Sequence, residues 1–320
     1  MSSQQPIQVI FGAVSVGNFE PWVGEDYLNK AFSILEAHGV KSIDTAQLYG
    51  NSEKRLGEVK VGERFVIDTK WVGGLTGPGW ATKEKIIETA KESIRKLGVK
   101  QVDIFYLHGP DGGVPLEETL EGVNEVYNTG LFKRFGISNF SPDDVQRIHD
   151  IAKAKGWVLP SVYQGNYNPA ARKAETVLFP TLRKLGIAFY AYSPLAGGFL
   201  TKTAQQVRDG AGRFNEQALG GIYRQMYARP ALLDSLDKWA KIAEDEGVSR
   251  AELGYRWVTY NSPLKPEYGD AIVVGASSVE QLEQTLTGIE KGPLSANAAR
   301  GVDEFWDQIK HETPLDTVTK

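Results

Sequence analysis

The chain has 320 residues, 41% of them hydrophobic, with 36 basic against 40 acidic side chains and a formal charge of -4. That length allows a large buried core, and the near balance of charge, with no strongly basic stretch, argues against nucleic acid as the main partner. Cysteine is absent, which removes disulfides, thiolate nucleophiles and thiolate metal sites together. Met1–Gly17 has no basic segment followed by a long apolar run, and no stretch reaches the ~20 apolar residues needed to span a bilayer. The expectation is a soluble, cytoplasmic protein that meets no membrane.

Short apolar runs alternate with longer amphipathic ones along the chain. The first strand is expected at Ile7–Phe11, followed by a helix over Glu25–Ala37 that stops at Gly39. Ser42–Asp44 reads as a strand end, Ser52–Glu58 as a short helix and Arg64–Thr69 as a strand. Thr82 is an N-cap for a helix running to Leu97 and ending at Gly98. Val102–Leu107 is a buried strand, Leu116–Asn128 a helix closed near Gly130, and Arg134–Ile137 a strand. Ser141 and Pro142 suit the N-cap and first turn of a helix that Gly156 ends. Strands follow at Ser161–Gln164 and Ile187–Tyr192 with a helix at Thr176–Leu185 between them. Ala271–Val274 is the eighth strand, and Asn297–His311 an extra C-terminal helix. Eight such alternations predict an α/β fold closed as a (β/α)8 TIM barrel, one domain over residues 1–320. Ala196–Arg229 has little periodicity and reads as a long binding loop or lid at the C-terminal rim; Gly73–Ala81 is a second such loop.

In such a barrel the chemistry sits at the C-terminal ends of the strands. The polar residues there are Asp44 and, beyond it, Tyr49; Lys70; His108; Ser138 and Asn139; Gln164; and Tyr192 and Ser193. Singly, each has an ordinary explanation as a turn former, a core residue or solvated surface. Together they bring an acid, a base and an ammonium to one rim. One His at this rim, in a chain without Cys, offers no metal-ligand set, so no metal is expected.

Asp44-Thr45-Ala46-Gln47-Leu48-Tyr49-Gly50-Asn51-Ser52-Glu53, continuing to Leu56-Gly57, resembles the aldo-keto reductase signature. Thr69-Lys70, Tyr106-Leu107-His108, Gly136–Phe140, Tyr163-Gln164 and Tyr192–Leu195 follow in that family's order, so the resemblance covers nearly the whole chain. Leu195-Ala196-Gly197-Gly198, Gly212-Arg213-Phe214, Ser277–Gln284 and Glu290–Leu294 look like its aflatoxin-aldehyde and succinic-semialdehyde reductase branch. The resemblance implies NADPH-dependent reduction of aldehydes or ketones by a catalytic tetrad of Tyr49, Lys70, Asp44 and His108. A free tyrosine, with a pKa of about 10, is a weak acid at neutral pH. Lys70 is expected to lower that pKa and Asp44 to hold Lys70, while His108, if neutral, can orient the substrate oxygen.

The resemblance assigns Ser138, Asn139 and Gln164 to the nicotinamide amide and Tyr192 to its face. Ser193, Leu195, Gly197, Arg213, Gly275, Ser277, Gln281 and Gln284 complete the expected NADP(H) contacts. No G-x-G-x-x-G follows an early strand, so a Rossmann site is not supported. Better-known members carry a Lys and an Arg for the 2′-phosphate, where this chain has Gly275 and Gln281. Ser277, Ser278, Gln281, Gln284 and a helix N-terminus near Ser278 remain for the anion. Trp22, Val23, Trp71, Trp80, Tyr223, Arg224 and Tyr227 are candidates for the substrate pocket, with Arg224 suited to a substrate carboxylate. Gly109 stands after His108 where the branch usually has Ala. The expected partner is a small carbonyl compound; a homodimer is left open. The alternative reading is a slow, redox-sensing nicotinamide-binding subunit of the channel β-subunit type. A barrel hydrolase using Glu53 and Asp44 would leave Lys70 and Tyr49 without roles.

Overall fold

Strands at β1 (Gln8–Gly12), β2 (Ser42–Asp44), β3 (Val66–Trp71), β4 (Val102–Leu107), β5 (Phe132–Ser138), β6 (Pro160–Asn166), β7 (Ala188–Tyr192) and β8 (Ala271–Val274) pair in chain order, all parallel. β8 pairs back onto β1, so the sheet closes into the expected barrel. The computed structural model describes residues 5–217 and 221–315. The helices are α1 (Glu25–Ala37), α2 (Ser52–Glu58), α3 (Lys83–Leu97), α4 (Leu116–Asn128), α5 (Pro142–Lys155), α6 (Ala174–Val177), α7 (Phe179–Leu185), α8 (Ala204–Arg208), α9 (Ile222–Tyr227), α10 (Pro230–Glu246), α11 (Arg250–Arg256), α12 (Val279–Glu290) and α13 (Ala296–Ile309).

Side-chain alternation along the strands makes two cores. Ile10, Ile104, Tyr106, Val162, Ala188, Tyr190, Ala271 and Val273 fill the barrel interior. A larger cluster packs the outer strand faces against the helices. Local chemistry sets the helix ends as expected. Thr82 Oγ1 accepts from Lys85 N at 3.3 Å and Ser141 Oγ from Asp144 N at 3.1 Å, while Gly98 and Gly156 close their helices at φ of 66° and 67°. Each such N-cap stabilises its helix by about 1 kcal/mol.

Three elements differ from expectation. The helix expected at Thr176–Leu185 is two, α6 and α7, because Pro180 has no N–H to give to Thr176. The lid at Ala196–Arg229 is not a plain loop: a 3₁₀ turn at Ala196–Thr201, α8, a turn at Gly212–Phe214 and α9 follow one another, with 218–220 outside the described residues. Between Arg229 and Ala271, where no element was expected, α10 and α11 stand. The signal was present: Pro230 opens α10, Gly247 caps it, and Leu232, Leu236, Trp239 and Ala243 are buried at helical spacing. Trp239 packs its ring 5.2 Å from Phe305 of α13.

Inside the barrel, Gly136 of β5 makes room for Tyr106. A Cβ at 136 would sit 2.3 Å from the Tyr106 ring. Gly136→Ala is therefore expected to destabilise the protein by about 1–3 kcal/mol through overpacking. Urea unfolding with an unchanged midpoint would contradict this.

Candidate active site

Asp44 is the last residue of β2, Lys70 lies in β3 and His108 follows β4 directly. Asp68 and Lys70, two apart on one strand, share a face, and Lys70 reaches the rim from inside the barrel wall. Its Nζ donates to Asp44 Oδ2 at 2.5 Å and to Thr45 O at 2.9 Å. Lys70 has no exposed surface and Asp44 only 2%. The same Nζ lies 5.0 Å from the centre of the Tyr49 ring, which meets the His108 ring edge-on at 5.7 Å. The four residues that the resemblance implies, Asp44, Tyr49, Lys70 and His108, thus lie together.

Their protonation follows from burial and charge. Burial opposes the Lys70 ammonium, but Asp44 and Tyr49 outweigh it and raise the Lys70 pKa. Burial with the Lys70 charge holds His108 well below its ordinary value, so the imidazole is neutral at pH 7. Its Nδ1 has no hydrogen-bond partner among the described residues. The Tyr49 expectation needs correction. Lys70 does pull the phenol downwards, but loss of water raises it more, and the net pKa is above its ordinary value. Tyr49 stays protonated at neutral pH, the form a proton donor needs.

The residues assigned to a nicotinamide amide line the adjoining wall and are buried. Gln164 Nε2 donates to Asp44 Oδ1 at 2.9 Å, so one carboxylate serves both Lys70 and Gln164. Asn139, at φ 61°, donates from Nδ2 to His108 O at 2.8 Å and Ser138 Oγ at 3.0 Å, and accepts from Tyr192 Oη at 2.8 Å. Ser193 and Ala196 also have positive φ. Three of the four non-glycine residues in that region, among the described residues, therefore flank this wall, where strained backbone commonly marks function.

The lid lies over the next sector. Leu195 is buried, and Ser193 Oγ and Tyr223 Oη share a hydrogen bond of 2.8 Å. Gly197, at φ 66°, lies so close to the Tyr223 ring that a Cβ would come within 2.2 Å of it. Arg213 stacks 5.6 Å over the same ring. After β8, nothing lies within 4 Å of where a Cβ on Gly275 would be. Gln281 folds back to accept from Ser277 N at 2.6 Å and Ser277 Oγ at 2.9 Å; Ser278 caps α12, and Gln284 is exposed on it.

Two substrate candidates are placed otherwise than expected. Trp22 is 1% exposed, stacked on Phe11, with its indole N–H donating to Ser277 O at 3.0 Å. It braces two loops. Arg224 donates to Val207 O and Arg208 O at 3.5 and 3.2 Å, within the lid itself. Trp80 is 49% exposed at the rim, while Tyr223 is buried in the lid. Trp71 and Tyr227 are buried as well.

Sequence reasoning missed Asp111, Lys202 and Asn18. Asp111 accepts from the backbone N–H groups of Gly79, Trp80, Ala81 and Gly113 at 2.7–2.8 Å, tying the loop that carries Trp80 to the one after His108. Burial opposes this carboxylate, yet the four amides lower its pKa. The half-buried Lys202 is depressed by burial and by neighbouring Arg213. Asn18 contacts the Tyr49 backbone. None has a motif, and only the Asp-Gly-Gly turn at 111–113 hinted at one of them.

Comparison with known proteins agrees with this geometry. Residues 8–307 match the model of the aldo/keto reductase family, and the chain belongs to that family. It is 40% identical to an oxidoreductase, sirO, of Leptosphaeria maculans over 95% of this chain and 90% of the other. Human aflatoxin B1 aldehyde reductase member 2 is 38% identical over 86% of this chain and 80% of its own. Member 4 is 36% identical over 98% of both.

The neutral His108 has a measurable consequence. Unfolded, an imidazole binds a proton below about pH 6.5; folded, His108 does not until the pH is much lower. The unfolded state then holds the extra proton, so stability falls as the pH drops below about 6.5. His38, whose pKa is raised, contributes in the opposite sense, so a comparison with His108→Gln isolates the effect. Between pH 7 and 5 the unfolding free energy of the native chain should fall more steeply than that of His108→Gln; equal slopes would refute a neutral His108.

Proposed function

We propose that the chain reduces aldehydes or ketones with NADPH, Tyr49 serving as general acid with Lys70, Asp44 and His108. The observation that carries this is the fully buried Lys70, paired with Asp44 and 5.0 Å from the Tyr49 ring. A nicotinamide dinucleotide, when bound, supplies the hydride that a carbonyl carbon needs. Reduction then leaves negative charge on the carbonyl oxygen, and Tyr49 Oη gives that oxygen a proton. The Lys70 ammonium stabilises the phenolate left behind, and Asp44 keeps Lys70 charged. Neutral His108 orients the oxygen by hydrogen bonding. Positioned acid catalysis of this kind contributes roughly 10²–10⁴-fold.

The donor chemistry fits such a cofactor. Ser138, Asn139 and Gln164 would meet a carboxamide, Tyr192 the ring face, and the open space at Gly275 admits a bulky group beside Ser277, Gln281 and Gln284. Lys202 and Arg213 repel each other, and neither has a carboxylate partner among the described residues. Two uncompensated cations beside the Gly197-Gly198 turn suit a pyrophosphate. Lys202→Ala or Arg213→Ala should weaken NADPH and NADH together, as followed by nucleotide fluorescence; loss for NADPH alone would move these cations to the 2′-phosphate.

The substrate reading favours apolar aldehydes. Phe19, Leu48, Leu75 and Trp80 are exposed on the first three rim loops, and Arg224 is engaged within the lid. The human aflatoxin B1 aldehyde reductases, similar to this chain, are likewise named for an aldehyde. Tyr49→Phe should lower NADPH-dependent turnover by at least about 10²-fold while leaving nucleotide binding intact. Retention of native turnover would end this reading. In a panel of aromatic aldehydes, dicarbonyls, 2-carboxybenzaldehyde and succinic semialdehyde, the aromatic aldehydes should give the highest kcat/KM; a clear preference for the carboxylated ones would restore Arg224 as a substrate clamp.

A further inference from the structure

Tyr49 stands on neither a strand nor a helix. β2 ends five residues before it, and α2 begins three residues after it. Its own turn supplies two backbone hydrogen bonds, Tyr49 N to Ala46 O at 3.0 Å and Ser52 N to Tyr49 O at 2.9 Å. A side chain that must deliver a proton needs firmer placement, since an error of about 1 Å can cost 10²-fold in rate.

We propose that Asn18, on the loop between β1 and α1, is the positioning residue for Tyr49, a role that rests on the proton-donor reading above. Its Nδ2 donates to Tyr49 O at 2.8 Å and also faces Val14 O and Val16 O at 3.0 and 3.2 Å. Its Oδ1 accepts from Asn51 N at 2.9 Å. Three carbonyls on one side and an N–H on the other fix the amide's orientation. The side chain thus holds the backbone on both sides of Gly50. Gly50, at φ 53°, makes the approach feasible: a Cβ there would lie 2.4 Å from Asn18 Oδ1. Ser52 adds a parallel tie, donating to Ala13 O at 2.8 Å while accepting from Thr45 Oγ1.

The loop that carries Asn18 is itself anchored at its far end. Trp22 Nε1 donates to Ser277 O at 3.0 Å, and Val279 N donates to Tyr27 Oη at 2.8 Å. Trp22 and Tyr27 meet edge-on at 5.4 Å. Gly17 N donates to Trp22 O at 3.0 Å, which passes this anchorage to the residue beside Asn18. The loop is a strut between the turn after β8 and the turn that bears Tyr49, and Asn18 is its contact with the proton donor. Asn18 touches no group assigned to the cofactor, so its effect falls on turnover and not on nucleotide affinity.

The test uses Asn18→Ala, Asn18→Asp and Gly50→Ala in the full chain, with Tyr49→Phe alongside. Steady-state kinetics with an aromatic aldehyde, NADPH affinity by fluorescence and Tm are measured together. Both Asn18 variants should lose roughly 10–100-fold in kcat, with NADPH affinity unchanged. Asn18→Asp keeps the volume but turns a carboxylate towards three carbonyls, so it should be at least as impaired as Asn18→Ala at neutral pH. Its deficit should shrink as the pH falls and the carboxyl regains an O–H to donate. Gly50→Ala, which pushes on the same contact from the other side, should reproduce the kcat loss. Native kcat in both Asn18 variants would overturn the proposal, as would a kcat loss matched by equal losses of nucleotide affinity and Tm. If Tyr49→Phe is inactive in that experiment, only the role of Asn18 fails; if Tyr49→Phe is active, the proton-donor reading fails with it.

Discussion

An ammonium with no exposed surface cannot be left to itself. Moving Lys70 out of water carries a desolvation penalty of several kcal/mol, and only a close anion and good hydrogen bonds offset it. Asp44 Oδ2 and the Thr45 carbonyl supply both. That requirement explains much of the rim. It keeps Asp44 at the end of β2, where Gln164 secures its other oxygen. It places a fixed positive charge beneath Tyr49, and the same charge helps to keep His108 neutral. On the proposed reading, this division of charge is what lets a phenol donate its proton where an imidazole cannot.

The barrel supplies rigidity at that point and the loops supply the rest. Asp111 welds two rim loops through the three amides of Gly79, Trp80 and Ala81, and Asn18 joins two others. The lid is held down at Tyr223, between Gly197, Ser193 and Arg213. Phe19, Leu48, Leu75 and Trp80 are exposed on the first three rim loops, and Arg213, Gln281 and Gln284 are exposed on the lid and after β8.

The barrel was legible because it depends on local patterns, short apolar runs alternating with amphipathic ones and caps such as Thr82 and Ser141; the four central residues stood among the polar groups just past the apolar runs, and the family resemblance singled them out. The split at Pro180 was legible in the sequence, since a proline cannot donate the helical hydrogen bond. α10 was hidden by its position after the irregular lid, although its Pro and Gly boundaries were in place. The roles of Trp22 and Arg224 could not be read, since an indole N–H bonded 255 positions away and a guanidinium turned on its own lid leave no trace in neighbouring residues. The Tyr49 pKa went astray for a related reason. The sign of the Lys70 contribution follows from charge alone, but the larger opposing effect of burial depends on packing.

The bond from Gln164 to Asp44 carries a consequence for how such a site can change over evolutionary time. One carboxylate serves the lysine beneath the acid and the amide on the cofactor wall, so neither can drift without disturbing the other. The turn after β8 has no such obligation: around Gly275 the space is open, and Gln281 and Gln284 are exposed. On the proposed reading, selection or an engineer can rewrite nucleotide preference there one residue at a time, while the end that would hold the nicotinamide changes only as a block.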